Sequence, residues 1–190
     1  MDDTTTIILD AARDVFGQRG FAGTSIRAIA DAAGVSRPTV YARYKNKEAI
    51  FRAVYQRTFD AALASVQAAL QREAPLGVRL GDALYAFFGT IFAAMRGLEQ
   101  AQDLLAQQER VAGDIVLRAQ SDLRAALRDA LSSPERIKLE GVSLDELVEL
   151  LLLAAPALKG TERDPALLRA RLQLLAQLVA HAVTHEEAGG

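Results

Sequence analysis

The stretch SIRAIADAAGVSRPTVYARY, residues 25–44, decides the fold at the N-terminal end of this chain. Ser25 and Ser36 stand where helix N-caps are expected, and Gly34 between them suits a left-handed C-cap. The pattern predicts two short helices joined by a turn, which is the helix-turn-helix plan whose second helix enters the major groove of DNA. Short helix pairs joined by a glycine also occur in proteins that bind no nucleic acid, so this alternative stays open on geometry alone.

The second predicted helix separates its side chains by direction, at about 100° per residue. Val40 and Tyr44 share the side that we expect to face the core. The opposite side carries small groups that would allow close approach to base edges, and long polar side chains flank it within reach of phosphates. We expect base contacts from Pro38, Thr39 and Ala42, and backbone contacts from Arg37, Tyr41 and Arg43, with guanine as a second target for Arg37. We expect further contacts near helix starts from Ser25, Arg27, Ser36 and Lys47.

The charge distribution agrees with this interpretation, although the net charge of −2 is uninformative. Residues 36–57 hold six basic side chains against Glu48 alone, a local charge of +5, and the rest of the chain carries −7. A basic island on an acidic protein is an electrostatic footprint for nucleic acid. A solvated helix face is the simpler explanation of the same charges.

Helical periodicity extends through most of the chain, and no strand signal interrupts it. The sequence therefore predicts an all-α fold of about nine helices. We expect a helix-turn-helix domain at 1–46, a connecting helix at 47–74, a larger helical body at 75–186 and a flexible tail at 187–190. In the body, helices are predicted over 76–96, 99–110 and from 113 to about 130. The last two are predicted to begin at a Ser143–Glu146 capping box and at Asp164–Pro165, and Asn46 is predicted to cap the connecting helix.

Several classes of protein are disfavoured. The chain has no cysteine, which excludes disulfides and suits a cytoplasmic location. It shows no signal peptide, and its longest apolar run is far too short to span a bilayer, so we expect no membrane partner. We also expect no enzyme activity and no cofactor, because the usual nucleophile and phosphate-loop motifs are missing. His181 and His185 have a metal-compatible spacing but no third ligand, and we expect no metal site.

The run from Phe21 to Phe51, FAGTSIRAIADAAGVSRPTVYARYKNKEAIF, resembles the N-terminal domain of the TetR family. The similarity covers about residues 5–55, and the rest of the chain matches the family in length and helical character. Four positions depart from the common pattern: Arg43 replaces a frequent His, Tyr44 a Phe, Ser25 a Thr and Pro38 a Gly. The first three substitutions keep the chemistry, whereas Pro38 stiffens the start of the recognition helix and alters the expected base contacts.

The resemblance implies a homodimer that binds a palindromic double-stranded DNA operator and represses transcription until a small apolar or amphipathic effector releases it. The DNA-binding domains of the two subunits must enter successive major grooves about 34–36 Å apart. A modest change in the distance between these domains can therefore abolish binding. A helical protein-binding module that binds no specific DNA is the alternative.

The resemblance also implies that the body, 75–186, is a dimerisation and ligand-binding domain that holds an interface and a pocket. The last two helices carry more apolar positions than one buried face needs, which indicates a partner. For the dimer interface we expect Leu151, Leu168, Leu172, Leu175 and Val179; a second stripe consists of Leu167, Leu174 and Leu178. For an effector pocket we expect Tyr85, Phe88, Phe92, Met95, Leu105, Gln108, Ile115 and Arg118, although aromatic side chains at this spacing are usually ordinary core.

Overall fold

The computed structural model describes residues 3–90, 100–132, 142–161 and 164–184. Within these ranges the chain is all-α, with eight α-helices and no strand. The helices are α1 (Asp3–Arg19), α2 (Ile26–Ala33), α3 (Arg37–Tyr41), α4 (Lys47–Gln71), α5 (Leu76–Leu84), α6 (Ala101–Leu131), α7 (Leu144–Thr161) and α8 (Pro165–Thr184). A π-helical turn, Tyr85–Gly89, follows α5 directly.

Most of the predicted helix starts are confirmed at atomic detail. The Asn46 side chain caps α4 by accepting the Ala49 N–H at 2.8 Å. Ser143 and Glu146 form a reciprocal capping box at α7, with backbone-to-side-chain distances of 3.2 and 2.7 Å. Asp164 accepts the Ala166 N–H at 2.9 Å, with Pro165 as the first residue of α8. Each cap satisfies a backbone donor that would otherwise lack a helical partner.

The helical run after residue 100 agrees with the prediction. Helices are predicted over 99–110 and after Gly113, and α6 consists of two helices that meet at a kink. The kink lies at Ala112, whose φ of −131° and ψ of 16° are not helical. The interruption therefore lies next to Gly113, where the sequence predicts that one helix ends and the next begins. Part of the predicted helix 76–96 lies outside the described residues.

The described residues form two compact units. The first contains residues 3–60 and 100–118, and the second contains 61–90 and the described residues from 119 onward. The first unit is built around one apolar cluster. Its largest fully buried side chains include Ile8, Leu9, Ile29, Ile50 and Phe51, which α1, α2 and α4 contribute. Val40 from α3 and Leu104 from α6 join the same cluster.

In the second unit, α5 packs closely on α8. A Cβ added at Gly77 would lie 2.9 Å from the Cα of Gln177, so the glycine permits this backbone approach. The Asp82 carboxylate of α5 accepts hydrogen bonds from Arg72, Arg169 and Gln173 at 2.6, 3.0 and 2.9 Å. These contacts tie α8 to the region around α5.

Two features of the described residues concern membrane insertion and metal binding. No helix there is both long and apolar enough to cross a membrane. The same part of the chain contains no group of three His, Asp or Glu residues placed to hold a metal ion. His181 is exposed near the end of α8, and His185 and the predicted tail 187–190 lie outside the described residues.

Candidate nucleic-acid interface

The segment 25–44 folds as two short helices around a glycine turn. The Ser25 hydroxyl caps α2 by accepting the Ala28 N–H at 3.1 Å, and the helix ends at Gly34, whose φ of 66° is left-handed. The Ser36 hydroxyl caps α3 by accepting the Thr39 N–H at 3.2 Å. Both predicted caps and the predicted glycine turn are therefore confirmed.

The recognition helix itself is short. Helix α3 ends at Tyr41, but one further helical turn follows, because the Tyr44 N–H donates to the Val40 carbonyl at 2.9 Å. Val40 is 0% exposed and Tyr44 is half-buried, as the wheel predicts. Burial raises the pKa of the Tyr44 phenol against the lowering effects of Arg57 and Arg43. The inner side of α3 is thus fixed to the apolar cluster.

The outer side of α3 is open to solvent. The side chain of Tyr41 is 55% exposed, and four other residues predicted to contact DNA are exposed with it: Arg37, Pro38, Ala42 and Arg43. Thr39 is half-buried, and its hydroxyl lies 2.8 Å from that of Ser36. One hydrogen bond of the Thr39 hydroxyl is therefore used within the cap, and its remaining capacity is available for a base.

Three predicted contacts lie near other helix starts. Ser25 and Arg27 are exposed on α2, where Arg27 Nε lies 3.6 Å from the Asp31 carboxylate. Lys47 is half-buried, and its ammonium donates to the carbonyls of Phe21 and Thr24 at 2.6 and 2.9 Å. It also lies 4.2 Å from the centre of the Phe21 ring, a cation–π distance. Two of its three donors thus serve the protein, which the sequence did not indicate.

The basic island is weaker than its sequence suggests. Arg57 pairs with Asp10 at 2.5 Å, and Arg52 pairs with Asp114 through two hydrogen bonds at 2.6 and 2.7 Å. Counting these two carboxylates with the island reduces its formal charge from +5 to +3. The exposed cations Arg37 and Lys45 remain beside the recognition helix.

Most of the residues predicted for the dimer interface on the last two helices are buried within the chain. Leu151, Leu168 and Leu172 are 0% exposed and Val179 is 4% exposed, so they pack within the chain; Leu175 is half-buried. The second stripe points outward instead, because Leu167, Leu174 and Leu178 are 43, 58 and 62% exposed on α8. On α7, Leu150 and Leu153 are 50 and 67% exposed.

The predicted pocket residues are divided between the two units. Phe88 is buried and Tyr85 half-buried in the π-helical turn of the second unit. In the first unit Ile115 is buried, Gln108 is half-buried, and Leu105 and Arg118 are exposed. Phe92 and Met95 lie outside the described residues. The effector pocket stays a prediction.

The N-terminal segment is similar in sequence to known proteins. A family model described as bacterial regulatory proteins, tetR family, matches residues 8–54. The transcriptional activator FasR of Mycolicibacterium smegmatis is 37% identical over 90 residues, 47% of this chain and 41% of that protein. The transcriptional repressor ComR of Escherichia coli is 42% identical over 62 residues, 33% of this chain and 30% of its own length. The matched regions span less than half of these relatives.

The structural similarity extends further than these sequence matches. A TetR-like transcriptional regulator from Rhodococcus sp. RHA1 superposes with a TM-score of 0.64 at 26% identity, covering 92% of this chain and 93% of that one. The family model matches the residues that build the caps, the glycine turn and the buried side of α3. Local geometry, sequence and fold agree, and residues 8–54 are an N-terminal domain of the tetR family of bacterial regulatory proteins.

Proposed function

We propose that this protein is a DNA-binding transcriptional regulator that inserts α3 into the major groove. The observation that carries the proposal is the two-sided construction of α3. Val40 is fully buried beneath it, while Arg37, Pro38, Tyr41 and Ala42 are exposed on a segment that matches the family model. A small outer face lets the helix approach base edges, and the exposed cations supply attraction to phosphates. The similarity to these regulators also supports the expectation that the chain is not an enzyme.

Repression is the direction of regulation that we propose, with release by a small effector. ComR supports this direction by name, whereas FasR is named an activator. The effector would be apolar or amphipathic and would bind in the body, 75–186, with 1–46 as the DNA-binding domain and 47–74 as the connecting helix. We propose a cytoplasmic location on the same family grounds.

A homodimer is part of this proposal, because a palindromic operator needs two reading heads. The outward leucines of α7 and α8 are the surface that would form it, rather than the stripe expected from the sequence. Five leucines are exposed on two helices that contact each other, and we propose that they form one apolar patch of the kind that marks an interface. This surface is Leu150, Leu153, Leu167, Leu174 and Leu178.

The proposal is tested by a gel shift against DNA that flanks the protein's own gene. Specific binding should give a shift that survives competition by a scrambled duplex and weakens steeply with salt, because phosphate contacts release counterions. Failure to obtain a sequence-specific shift at any salt concentration overturns the proposal. That outcome would favour the alternative, a helical protein-binding module.

A further inference from the structure

We propose that Asp103 of α6 is a positioning residue for DNA binding: it holds the turn before α2 and thereby fixes where α2 begins. This inference rests on the proposed function and deepens it, because it assigns a role in operator recognition to a residue that touches no DNA. Asp103 belongs to the same compact unit as the helix-turn-helix, although 82 positions separate it from its partner.

The peptide groups of Phe21 are held from two directions. Its N–H donates to the Asp103 carboxylate at 2.6 Å, and its carbonyl accepts from the Lys47 ammonium at 2.6 Å. Hydrogen bonds to charged groups are short and about twice as strong as neutral ones. The Phe21 ring is buried and stacked on Phe16, with ring centres 5.8 Å apart. Phe21 is therefore fixed by its backbone and its side chain together.

The same hydrogen-bond network continues to Ser25, the N-cap of α2. Lys47 also bonds the carbonyl of Thr24, and the buried Thr24 hydroxyl donates to the Gly20 carbonyl at 2.6 Å. The next residue is Ser25, which caps α2 and is exposed where we expect a phosphate. Asp103 and Lys47 together thus position the cap from α6 and α4.

Gly20 provides the space that this arrangement needs. Its φ of 68° is left-handed, and a Cβ built there would lie 2.6 Å from Asp103 Oδ2 and 3.1 Å from Gln100 Oε1. The carboxylate therefore occupies the volume that any other side chain at position 20 would take. A side chain at position 20 would have to displace Asp103, so the contact depends on a glycine at the end of α1.

The sign of the effect on DNA affinity separates positioning from simple electrostatics. Removing a carboxylate from a DNA-binding unit should strengthen attraction to the DNA polyanion. Positioning predicts the opposite for the specific site. Asp103→Ala should weaken binding of the full-length protein to its specific duplex by about tenfold, the loss expected when a charged hydrogen bond is removed. Affinity for a scrambled duplex should stay unchanged or rise.

Asp103→Asn retains an oxygen acceptor and should therefore lose less specific affinity than Asp103→Ala. Glu109→Gln is the matched control, since it removes an exposed carboxylate from the same helix, and it should not weaken specific binding. Equal or tighter specific binding by both Asp103 variants overturns the proposal. Parallel loss on the specific and scrambled duplexes also overturns it, because general destabilisation would affect both.

Amide hydrogen exchange gives a readout that does not depend on DNA. Exchange over residues 20–28 should rise in Asp103→Ala and stay as in wild type in Glu109→Gln, because only the first variant frees the Phe21 N–H. Unchanged exchange in Asp103→Ala overturns the inference. A wild-type protein that binds no specific DNA overturns the proposed function instead, while the exchange experiment still tests the structural part of the inference.

Discussion

At the scale of single residues, Arg37 is well placed to recognise a base through hydrogen bonds. It is exposed at the first position of α3 and is followed by the exposed Pro38 and by Thr39, whose N–H is bound by the Ser36 cap. A guanidinium can bind the O6 and N7 atoms of guanine with two parallel hydrogen bonds, whereas an ammonium acts as a point charge. Arg37 can thus contribute charge alone or charge together with base recognition.

The variants Arg37→Ala and Arg37→Lys separate these roles. If Arg37 reads guanine, both should lose about 1–3 kcal/mol of specific binding free energy and accept more bases at one operator position. Selection of binding sites from a random DNA pool measures this relaxation. If Arg37→Lys selects the wild-type motif with wild-type affinity, Arg37 contacts phosphate only.

Tyr55 gives a stability prediction, because its buried hydroxyl has no hydrogen-bond partner among the described residues. An unsatisfied buried hydroxyl costs free energy, so Tyr55→Phe should leave the free energy of unfolding unchanged or raise it by about 1 kcal/mol.

Burial raises the Tyr55 pKa from 10.0 to about 12. The neutral phenol is favoured in the folded state, so the wild-type protein should lose stability between pH 10 and pH 12. Denaturant unfolding of both proteins over this range tests the assignment, and a large loss in Tyr55→Phe at neutral pH contradicts it.

Some residue roles could be predicted from the sequence, and others could not. The directions of Val40 and Tyr44 follow from helical periodicity, because neighbours along one helix obey a fixed geometry. The ion pairs of Arg52 and Arg57 join residues 62 and 47 positions apart. No local pattern reports such partners, so the charge available to DNA was overestimated.

At the scale of elements, the kink of α6 shows how one side chain supports a distorted helix. Arg52 on α4 donates to the Val111 carbonyl at 2.5 Å, directly before the non-helical Ala112. The same guanidinium binds the Asp114 carboxylate, directly after Gly113. One cation therefore contacts both sides of the kink and satisfies a carbonyl near the point where the regular helix is interrupted.

The Arg52–Asp114 pair should depend on pH in a defined direction. The hydrogen bond from Arg52 is the main reason that the Asp114 pKa falls from 3.8 to about 2. A lowered carboxyl pKa contributes stability that is present above pH 4 and lost as the pH falls toward 2. Asp114→Asn should therefore be less stable than wild type at pH 7, and the difference should shrink below pH 4. Denaturant unfolding across this range measures it, and a difference independent of pH contradicts the assignment.

Helix starts were predictable because caps are local, as Ser36, Asn46 and Ser143 show. The interruption near Gly113 was predictable as well, because a glycine favours the end of a helix, whereas the Arg52 side chain that contacts both sides of it comes from another helix. Both apolar stripes of α8 were predicted, but the one assigned to the interface is mostly buried. Periodicity identifies two apolar stripes, but it cannot state which of them the chain itself covers.

At the scale of the whole molecule, the proposed homodimer would use the outward leucines of α7 and α8 and would thereby connect assembly to operator binding. Leu174→Glu with Leu178→Glu should convert a homodimer to a monomer, because carboxylates would replace apolar contacts between copies. Sedimentation or light scattering measures the mass, and a gel shift should show a large loss of affinity for a palindromic site. Leu117→Glu is the matched control, since Leu117 is 68% exposed in the first unit. If the double variant remains dimeric while the control behaves like wild type, the interface lies elsewhere.

Gly20 and Gly34 both have left-handed backbone, but we expect them to tolerate substitution differently. Gly34 has no atom within 4 Å of the position where a Cβ would stand, so an asparagine, which tolerates this conformation, fits there. Gly20 has the same kind of backbone but faces the Asp103 carboxylate. Homologues that keep this carboxylate should therefore keep glycine at position 20, while position 34 can drift between glycine and asparagine. Homologues with another residue at position 20 should also lack the carboxylate at position 103, so that the two positions change as a pair.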